Sequence, residues 1–74
     1  MTEVVIINNA QTLGTLLKSR RKELGITQMD LAKLCNLSHT GIGRIESTQN
    51  DVRLETLLKL SKVLGLTLCV ELGD

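Results

Sequence analysis

The spacing of apolar residues changes along the chain, and the long middle section has the spacing of helices. The first apolar group falls at positions i, i+3, i+4 and i+11, which lie on one helical face: Leu13, Leu16, Leu17 and Leu24. Thr12 is the predicted N-cap, and Gly25 is the predicted C′ residue beyond the helix end. The pattern therefore predicts a first helix over about residues 13–24.

Two shorter helices follow, each preceded by a residue type that caps helices. Thr27 with Asp30 three residues later resembles a capping box, and Asn36 is a suitable left-handed end for this second helix. Ser38 is the predicted N-cap of the third helix. Their apolar residues are predicted to face inward: Leu31, Ala32, Leu34 and Cys35 in the second helix, Ile42 and Ile45 in the third.

A polar stretch over residues 48–53 predicts a loop, and a fourth helix follows it. The wide apolar arc of this helix predicts a central place in the core, and Gly65 is its predicted end: Leu54, Leu57, Leu58, Leu60, Val63 and Leu64. The mostly leucine core follows from the composition, since the chain has no Phe, Trp, Tyr or Pro.

Both ends of the chain have the pattern of short strands. Residues 3–7 are β-branched and apolar, and residues 66–72 alternate apolar and polar side chains, with Leu66, Leu68, Val70 and Leu72 on one face. A lone strand leaves half of its backbone groups unpaired. The two ends are therefore expected to pair with each other or with the same segments of a second copy.

The short length of the chain favours pairing of its strands with a second copy over pairing between its own two ends. A chain of 74 residues is expected to form a single domain, and folding would bury only about 60% of the surface of the unfolded chain. Domains this small commonly need a disulfide, a metal or an oligomer. Two Cys and one His are too few for a Cys/His zinc site, so no metal or cofactor is expected. We therefore predict a homodimer joined through the strand over residues 66–72.

The distribution of charge is more informative than its total. The formal net charge is +1, but residues 9–66 hold all nine basic groups and five acidic ones, hence +4. A basic body with acidic ends suits an anionic partner. Since the chain has neither a long apolar run nor a signal-peptide pattern, a cytoplasmic location is expected.

The segment over residues 27–47 has the spacing of a helix-turn-helix, in which a tight turn joins two short helices. Gln28 lies at the start of the second helix, where free backbone N–H groups can receive a phosphate. Ile42 and Ile45 face inward, which turns the opposite face of the third helix outward. The N-terminal end of that face is expected to enter a major groove of DNA.

These residues resemble the Cro/CI-type (Xre) helix-turn-helix family. The matching positions extend from the first helix to the end of the third: Arg21, Gly25, Thr27, Gln28, Leu31, Ala32, Ser38, Ile42, Ile45 and Glu46. The resemblance implies a mostly α domain of four to five helices with short terminal β-strands. It also implies an internal ion pair between Arg21 and Glu46.

The resemblance further implies a set of DNA contacts. Gln28 would contact phosphate, His39 and Thr40 would reach base edges, Arg44 would reach a base or a phosphate, and Ser47 would touch the DNA backbone. The remaining candidates are Ser38, Gly41, Gly43 and Arg53. The two glycines are interpreted as places where DNA approaches the helix backbone closely. The alternative is that they only weaken the helix, by about 1 kcal/mol each.

The C-terminal part of the chain, from Asp51 to Cys69, is similar to HipB-type antitoxins. That likeness implies a dimer that binds a palindromic operator on the bacterial nucleoid and that also binds a HipA-like serine/threonine kinase toxin. A stand-alone phage-type repressor and a protein-interaction module with secondary DNA binding are the alternatives. No enzyme is expected, because the single His lacks a nucleophile and an orienting acid nearby in the pattern.

Overall fold

The fold was analysed in a computed structural model, which describes residues 3–47 and 51–73. Its four helices are α1 (Ala10–Glu23), α2 (Gln28–Cys35), α3 (His39–Glu46) and α4 (Leu54–Leu64). Helices α1 and α2 each pack against both α3 and α4. Five side chains are almost fully buried where the four helices meet: Leu17, Leu31, Ile42, Leu60 and Leu64.

The helix ends follow the predicted signals in most places. Thr27 and Asp30 form a capping box at the start of α2, and Ser38 caps α3. Gly25 and Gly65 both have φ of +70°, a left-handed conformation in which a Cβ atom is strained. Asn36 ends α2 with φ of 55°.

The prediction for the start of α1 was wrong. The helix begins at Ala10, and its N-cap is Asn9, whose side-chain oxygen accepts a hydrogen bond from the Thr12 N–H at 2.8 Å. Asn caps a helix at least as well as Thr, so the earlier residue takes the role. The buried line of α1 is also different, since it runs through Gly14, Leu17 and Arg21 and leaves Leu24 exposed.

Two other helices have a narrower buried face than their sequences suggest. Leu34 of α2 is exposed, and so are Leu54 and Leu58 of α4. Helix α4 packs mainly against α1 and α2, and the outer part of its apolar arc, with Leu54 and Leu58, stays exposed among the described residues. Leu60 and Leu64 carry the packing instead.

The terminal strands are absent from the part of the chain that the structure describes. Residues 3–8 and 66–73 have no regular secondary structure, and no backbone hydrogen bond joins them. A strand needs a neighbour for its backbone groups, and the two ends do not supply one to each other. Pairing with a second copy stays a prediction, and Val70 and Leu72 stand 89% and 90% exposed in the single chain.

None of the helices within residues 3–47 and 51–73 combines the length and the hydropathy needed to cross a bilayer.

Candidate nucleic-acid interface

The turn between α2 and α3 is held by backbone hydrogen bonds and one side-chain cap. The Leu37 N–H donates to the Ala32 carbonyl at 2.8 Å, which folds the chain back at the left-handed Asn36. The Gly41 N–H then donates to Ser38 Oγ at 2.9 Å. Because both ends of the turn are fixed, the direction of α3 relative to α2 is fixed as well.

Helix α3 has one buried side and one polar side. Ile42 is fully buried and Ile45 is half-buried against the core. The remaining predicted contacts of the motif lie on the other side: His39, Thr40, Arg44 and Ser47 are exposed, and Gly41 and Gly43 are half-buried. The structure thus brings these six residues together on one short helix and its end.

A buried ion pair fixes the inner end of this helix. Arg21 Nε lies 2.6 Å from Glu46 Oε2, and Arg21 Nη2 donates to Glu46 Oε1 at 3.1 Å. Only 10% of the Arg21 side chain and 4% of the Glu46 side chain are exposed. Arg21 Nη1 also donates to the Ile26 carbonyl at 2.7 Å. One guanidinium therefore joins α1, the loop before α2 and the last residue of α3.

The side chain of Gln28 extends this pair to the start of α3. Gln28 Nε2 donates to Glu46 Oε1 at 3.0 Å, and Gln28 Oε1 lies 3.1 Å from His39 Nε2. The amide thus connects the inner end of α3 with its first residue. The sequence did not reveal this role, although the glutamine at the start of α2 was singled out for a phosphate contact.

The ionisation of Glu46 follows from its neighbours. Burial favours the neutral acid, but the hydrogen bonds from Arg21 and Gln28 and the charge of Arg21 outweigh it, so the pKa of Glu46 lies below its ordinary value. The hydrogen bond to Glu46 raises the pKa of Arg21 against the opposing effect of burial, and the charge of Glu46 raises it further. The pair is therefore charged at neutral pH.

The other candidate contacts flank α3. Ser47 follows the helix, and its hydroxyl donates to the Arg44 carbonyl at 3.3 Å. Arg53 is exposed at the N-cap of α4 and makes no side-chain cap. The predicted loop between them lies partly outside the described residues, at positions 48–50. Arg53 thus lies at a helix N-terminus, where a phosphate is electrostatically favoured.

The two glycines of α3 differ in their surroundings. A Cβ atom at Gly41 would lie 3.0 Å from Ser38 Oγ, whereas a Cβ atom at Gly43 would meet no atom within 4 Å. Gly41 is therefore explained in part by the capping serine. Gly43 has no steric reason within the described residues to be glycine.

Arg20 makes a long-range contact that the sequence pattern does not predict. Arg20 Nε donates to the carbonyl of Leu64, the last residue of α4, at 2.8 Å. A positive charge at a helix C-terminus is stabilising, but nothing in the sequence places the end of α4 beside α1.

Metal ligands do not converge anywhere in the described residues, where no group of three His, Cys, Asp or Glu side chains comes together. Cys35 is buried in the core, as predicted, and burial raises the pKa of its thiol despite the nearby charge of Lys59.

A family model described as helix-turn-helix matches residues 17–70. The match covers α2, the turn, α3, all of α4 and the second half of α1. The chain belongs to the helix-turn-helix family. Its members of the Cro/CI type are non-enzymatic DNA-binding regulators of transcription, which agrees with the resemblance drawn from the motif.

Two relatives of this helix-turn-helix chain are regulators by their names. An uncharacterized HTH-type transcriptional regulator of Haemophilus influenzae is 46% identical over 50 residues, or 68% of this chain and 51% of that protein. Repressor protein C2 of Salmonella phage P22 is 38% identical over 56 residues, or 76% of this chain and 26% of the repressor. The chain thus spans about half and about a quarter of these two relatives.

Solved helix-turn-helix structures share the fold. The restriction-modification controller protein C.AhdI from Aeromonas hydrophila matches with a TM-score of 0.75 and 31% identity, over 78% of this chain and 88% of its own. HipB in its complex with the O4 20mer matches with a TM-score of 0.82 and 24% identity, over 96% of this chain and all of that chain. At 24% identity the likeness to HipB concerns the fold alone.

Proposed function

We propose that this chain is a repressor of transcription that binds a specific DNA site as a homodimer, with α3 in the major groove. The polar face of α3 is the observation that supports this proposal. It is held at one end by the Ser38 cap and at the other by the buried Arg21–Glu46 pair. Contacts to bases need such a preorganised helix, since each contact depends on a distance of about 3 Å.

The proposed contacts divide into two classes. His39, Thr40 and Arg44 would read base edges, since they lie on the exposed side of α3. The others would position the protein on phosphates without reading sequence: Gln28, Ser38, Ser47 and Arg53. Gln28 uses one amide hydrogen on Glu46, so its second hydrogen remains for a phosphate. Gly41 and Gly43 would let the DNA approach the helix backbone.

Arg44 and His39 provide the direct test. A binding site is first selected from random duplex DNA with the wild-type protein, and affinities are then measured on that site and on a scrambled one. Arg44→Ala and His39→Ala should each weaken binding to the selected site by about tenfold, with little effect on the scrambled one. Lys22→Ala, on the exposed end of α1, is the matched loss of a positive charge.

The controls separate folding from binding. All three variants should keep the wild-type melting temperature, because the three side chains are exposed and, within the described residues, make no side-chain hydrogen bond beyond the one between His39 and Gln28. If Arg44→Ala and His39→Ala bind the selected site as tightly as the wild type, the assignment of the interface is wrong. If the wild type selects no site at all, the proposed function is wrong.

The HipB-like fold supports a more specific version of this function. The likeness to HipB includes 96% of the chain, whereas the match to C.AhdI includes 78%. We propose on this basis that the chain is an antitoxin that also binds a HipA-like kinase toxin. Co-expression with the product of a neighbouring kinase gene should give a complex that co-purifies and has lowered kinase activity. A neighbouring gene of another kind would count against this version.

Similarity to a phage repressor supports the alternative of a stand-alone regulator. In that case a divergent promoter would lie beside the gene, and no toxin would co-purify. A protein-interaction module is the third version, in which DNA binding is secondary. It would bind the toxin unchanged after Arg44→Ala and after His39→Ala, because both variants change only the proposed DNA face.

A further inference from the structure

A series of hydrogen bonds from Arg21 to His39 constrains which nitrogen of the imidazole ring carries a hydrogen. Its members are groups that can only donate, groups that can only accept, and one amide that does both. The guanidinium of Arg21 only donates and the carboxylate of Glu46 only accepts. Because the hydrogen-bonding roles of these two groups are fixed, they determine how the Gln28 amide between Glu46 and His39 is oriented.

Gln28 has a single orientation that suits its neighbours. The atom facing Glu46 Oε1 at 3.0 Å must be the amide nitrogen, because an amide oxygen there would meet an acceptor without a hydrogen between them. The amide oxygen then faces His39 Nε2 at 3.1 Å. Since an amide oxygen only accepts, His39 Nε2 must carry a hydrogen.

The second ring nitrogen of His39, Nδ1, takes no part in these hydrogen bonds. A neutral imidazole carries one hydrogen, so a hydrogen on Nε2 leaves Nδ1 as an acceptor. Nδ1 makes no hydrogen bond within the described residues, and His39 is exposed as the first residue of α3. An acceptor in the major groove pairs with the amino group of adenine or cytosine and not with the acceptors of guanine or thymine.

We propose that Gln28 and Glu46 act as positioning residues that keep the single hydrogen of the neutral His39 ring on Nε2, so that Nδ1 selects adenine or cytosine on the contacted strand. The selection of a base rests on the DNA binding proposed above, whereas the position of the hydrogen is a property of the free protein. The two parts are therefore tested separately.

Nuclear magnetic resonance tests the first part without DNA. His39 is the one histidine of the chain, so its two ring nitrogens are assigned without ambiguity in a long-range ¹H–¹⁵N spectrum. In the neutral ring the wild type should give a protonated Nε2 and an unprotonated Nδ1. In Gln28→Ala the two shifts should move towards the average of the two tautomers. Met29→Ala, at the exposed neighbouring position, should leave both shifts unchanged.

Glu46→Gln is a second variant for the same spectrum. An amide in place of the carboxylate can donate to Gln28 Oε1, which lets the Gln28 amide reverse and present its nitrogen to His39. The population with hydrogen on Nδ1 should therefore rise. The proposal is overturned if the neutral wild-type ring has its hydrogen on Nδ1, or if Gln28→Ala and the wild type give identical ring shifts.

Selection from random duplex DNA tests the second part. The base contacted by His39 is the position whose preference disappears in His39→Ala. At that position the wild type should prefer adenine or cytosine by about tenfold, and Gln28→Ala should reduce this preference to within about twofold. Met29→Ala should keep the preference.

The outcomes distinguish the two proposals. A wild type that selects guanine or thymine at the His39 position, or a Gln28→Ala variant that keeps the full preference, overturns the inference and leaves DNA binding intact. A wild type that selects no site overturns the proposed function and the base selection with it, while the ring shifts still decide the tautomer.

Discussion

At the scale of single residues, the most consequential contact is the buried pair of Arg21 and Glu46. It joins the C-terminal half of α1 to the last residue of α3, and it also receives the hydrogen bond from Gln28. A buried charge that loses its partner is strongly destabilising. The same pair thus determines both the stability of the domain and the position of the proposed reading helix.

The first prediction concerns Glu46 and pH. Its folded-state pKa lies below the ordinary value of 4.5, so the ionised pair stabilises the fold fully above that pH and less as pH falls through the folded-state pKa. Glu46→Gln should lower the free energy of unfolding by about 3 kcal/mol at pH 7. Urea unfolding at pH 7 and pH 3 should give a smaller difference between variant and wild type at pH 3.

Glu23→Gln is the control for this measurement. Glu23 also pairs with an arginine, Arg20, but its side chain is 65% exposed, and exposed pairs contribute about 0–1 kcal/mol. A Glu23→Gln variant that loses as much stability as Glu46→Gln would contradict the role given to burial.

At the scale of elements, α3 is the helix in which stability and function are expected to conflict. It is eight residues long and contains Gly41 and Gly43, each of which weakens a helix relative to Ala. The structure gives Gly41 a close neighbour and gives Gly43 none among the described residues. Substitutions at these two positions therefore distinguish a steric reason for glycine from a functional one.

The second prediction uses this difference. Gly43→Ala should raise the free energy of unfolding by about 1 kcal/mol, because the new methyl group has open space. Gly41→Ala should gain less, since its Cβ atom would press on the Ser38 hydroxyl that caps the helix. Both values come from thermal or urea unfolding.

DNA binding by the same two variants gives the functional result. If DNA approaches the backbone of α3, Gly43→Ala should weaken binding although it stabilises the protein. A Gly43→Ala variant that is more stable and binds its selected DNA as tightly as the wild type would refute the close approach.

At the scale of the whole molecule, the C-terminal segment is an apolar surface that is exposed in the single chain. Leu68, Val70 and Leu72 are exposed in the single chain and share one face if the segment is a strand. In a two-fold dimer, such a segment can pair with its own symmetry mate. The proposed homodimer would then bury these side chains.

The third prediction tests that arrangement. Val70→Lys should raise the dimer dissociation constant by roughly a hundredfold, since each of two copies loses about 1.5 kcal/mol of apolar burial. Thr67→Lys places the same charge on the opposite face of the strand and should have little effect. Sedimentation equilibrium measures both, and equal effects of the two substitutions would contradict the alternation.

Local signals in the sequence predicted the helices well, because caps and left-handed ends act within a few residues. Thr27 with Asp30, Ser38, Asn36 and Gly65 all mark helix ends as expected. The start of α1 was missed because Asn9 and Thr12 are both good caps, and only the fold decides between them. Spacing alone does not resolve such a choice.

Long-range contacts were harder to predict. The Arg21–Glu46 pair was expected only through the family resemblance. The contacts of Gln28 with Glu46 and His39 depend on where α2 crosses α3. The exposure of Leu34, Leu54 and Leu58 depends on which other helices lie next to these side chains. A sequence pattern identifies the apolar face of a helix, but it does not show how much of that face another helix covers.

The two adjacent arginines at the end of α1 reach in different directions. Arg20 holds the carbonyl end of α4, directly before the C-terminal segment, while Arg21 holds the last residue of α3. In the proposed dimer, these neighbouring residues would connect the dimer contact to the reading helix and so determine how far apart the two copies of α3 lie. DNA half-sites are about 34 Å apart for one turn. Arg20→Ala should therefore make binding less sensitive to an inserted base pair between the half-sites, a form of specificity that depends on distance and not on bases.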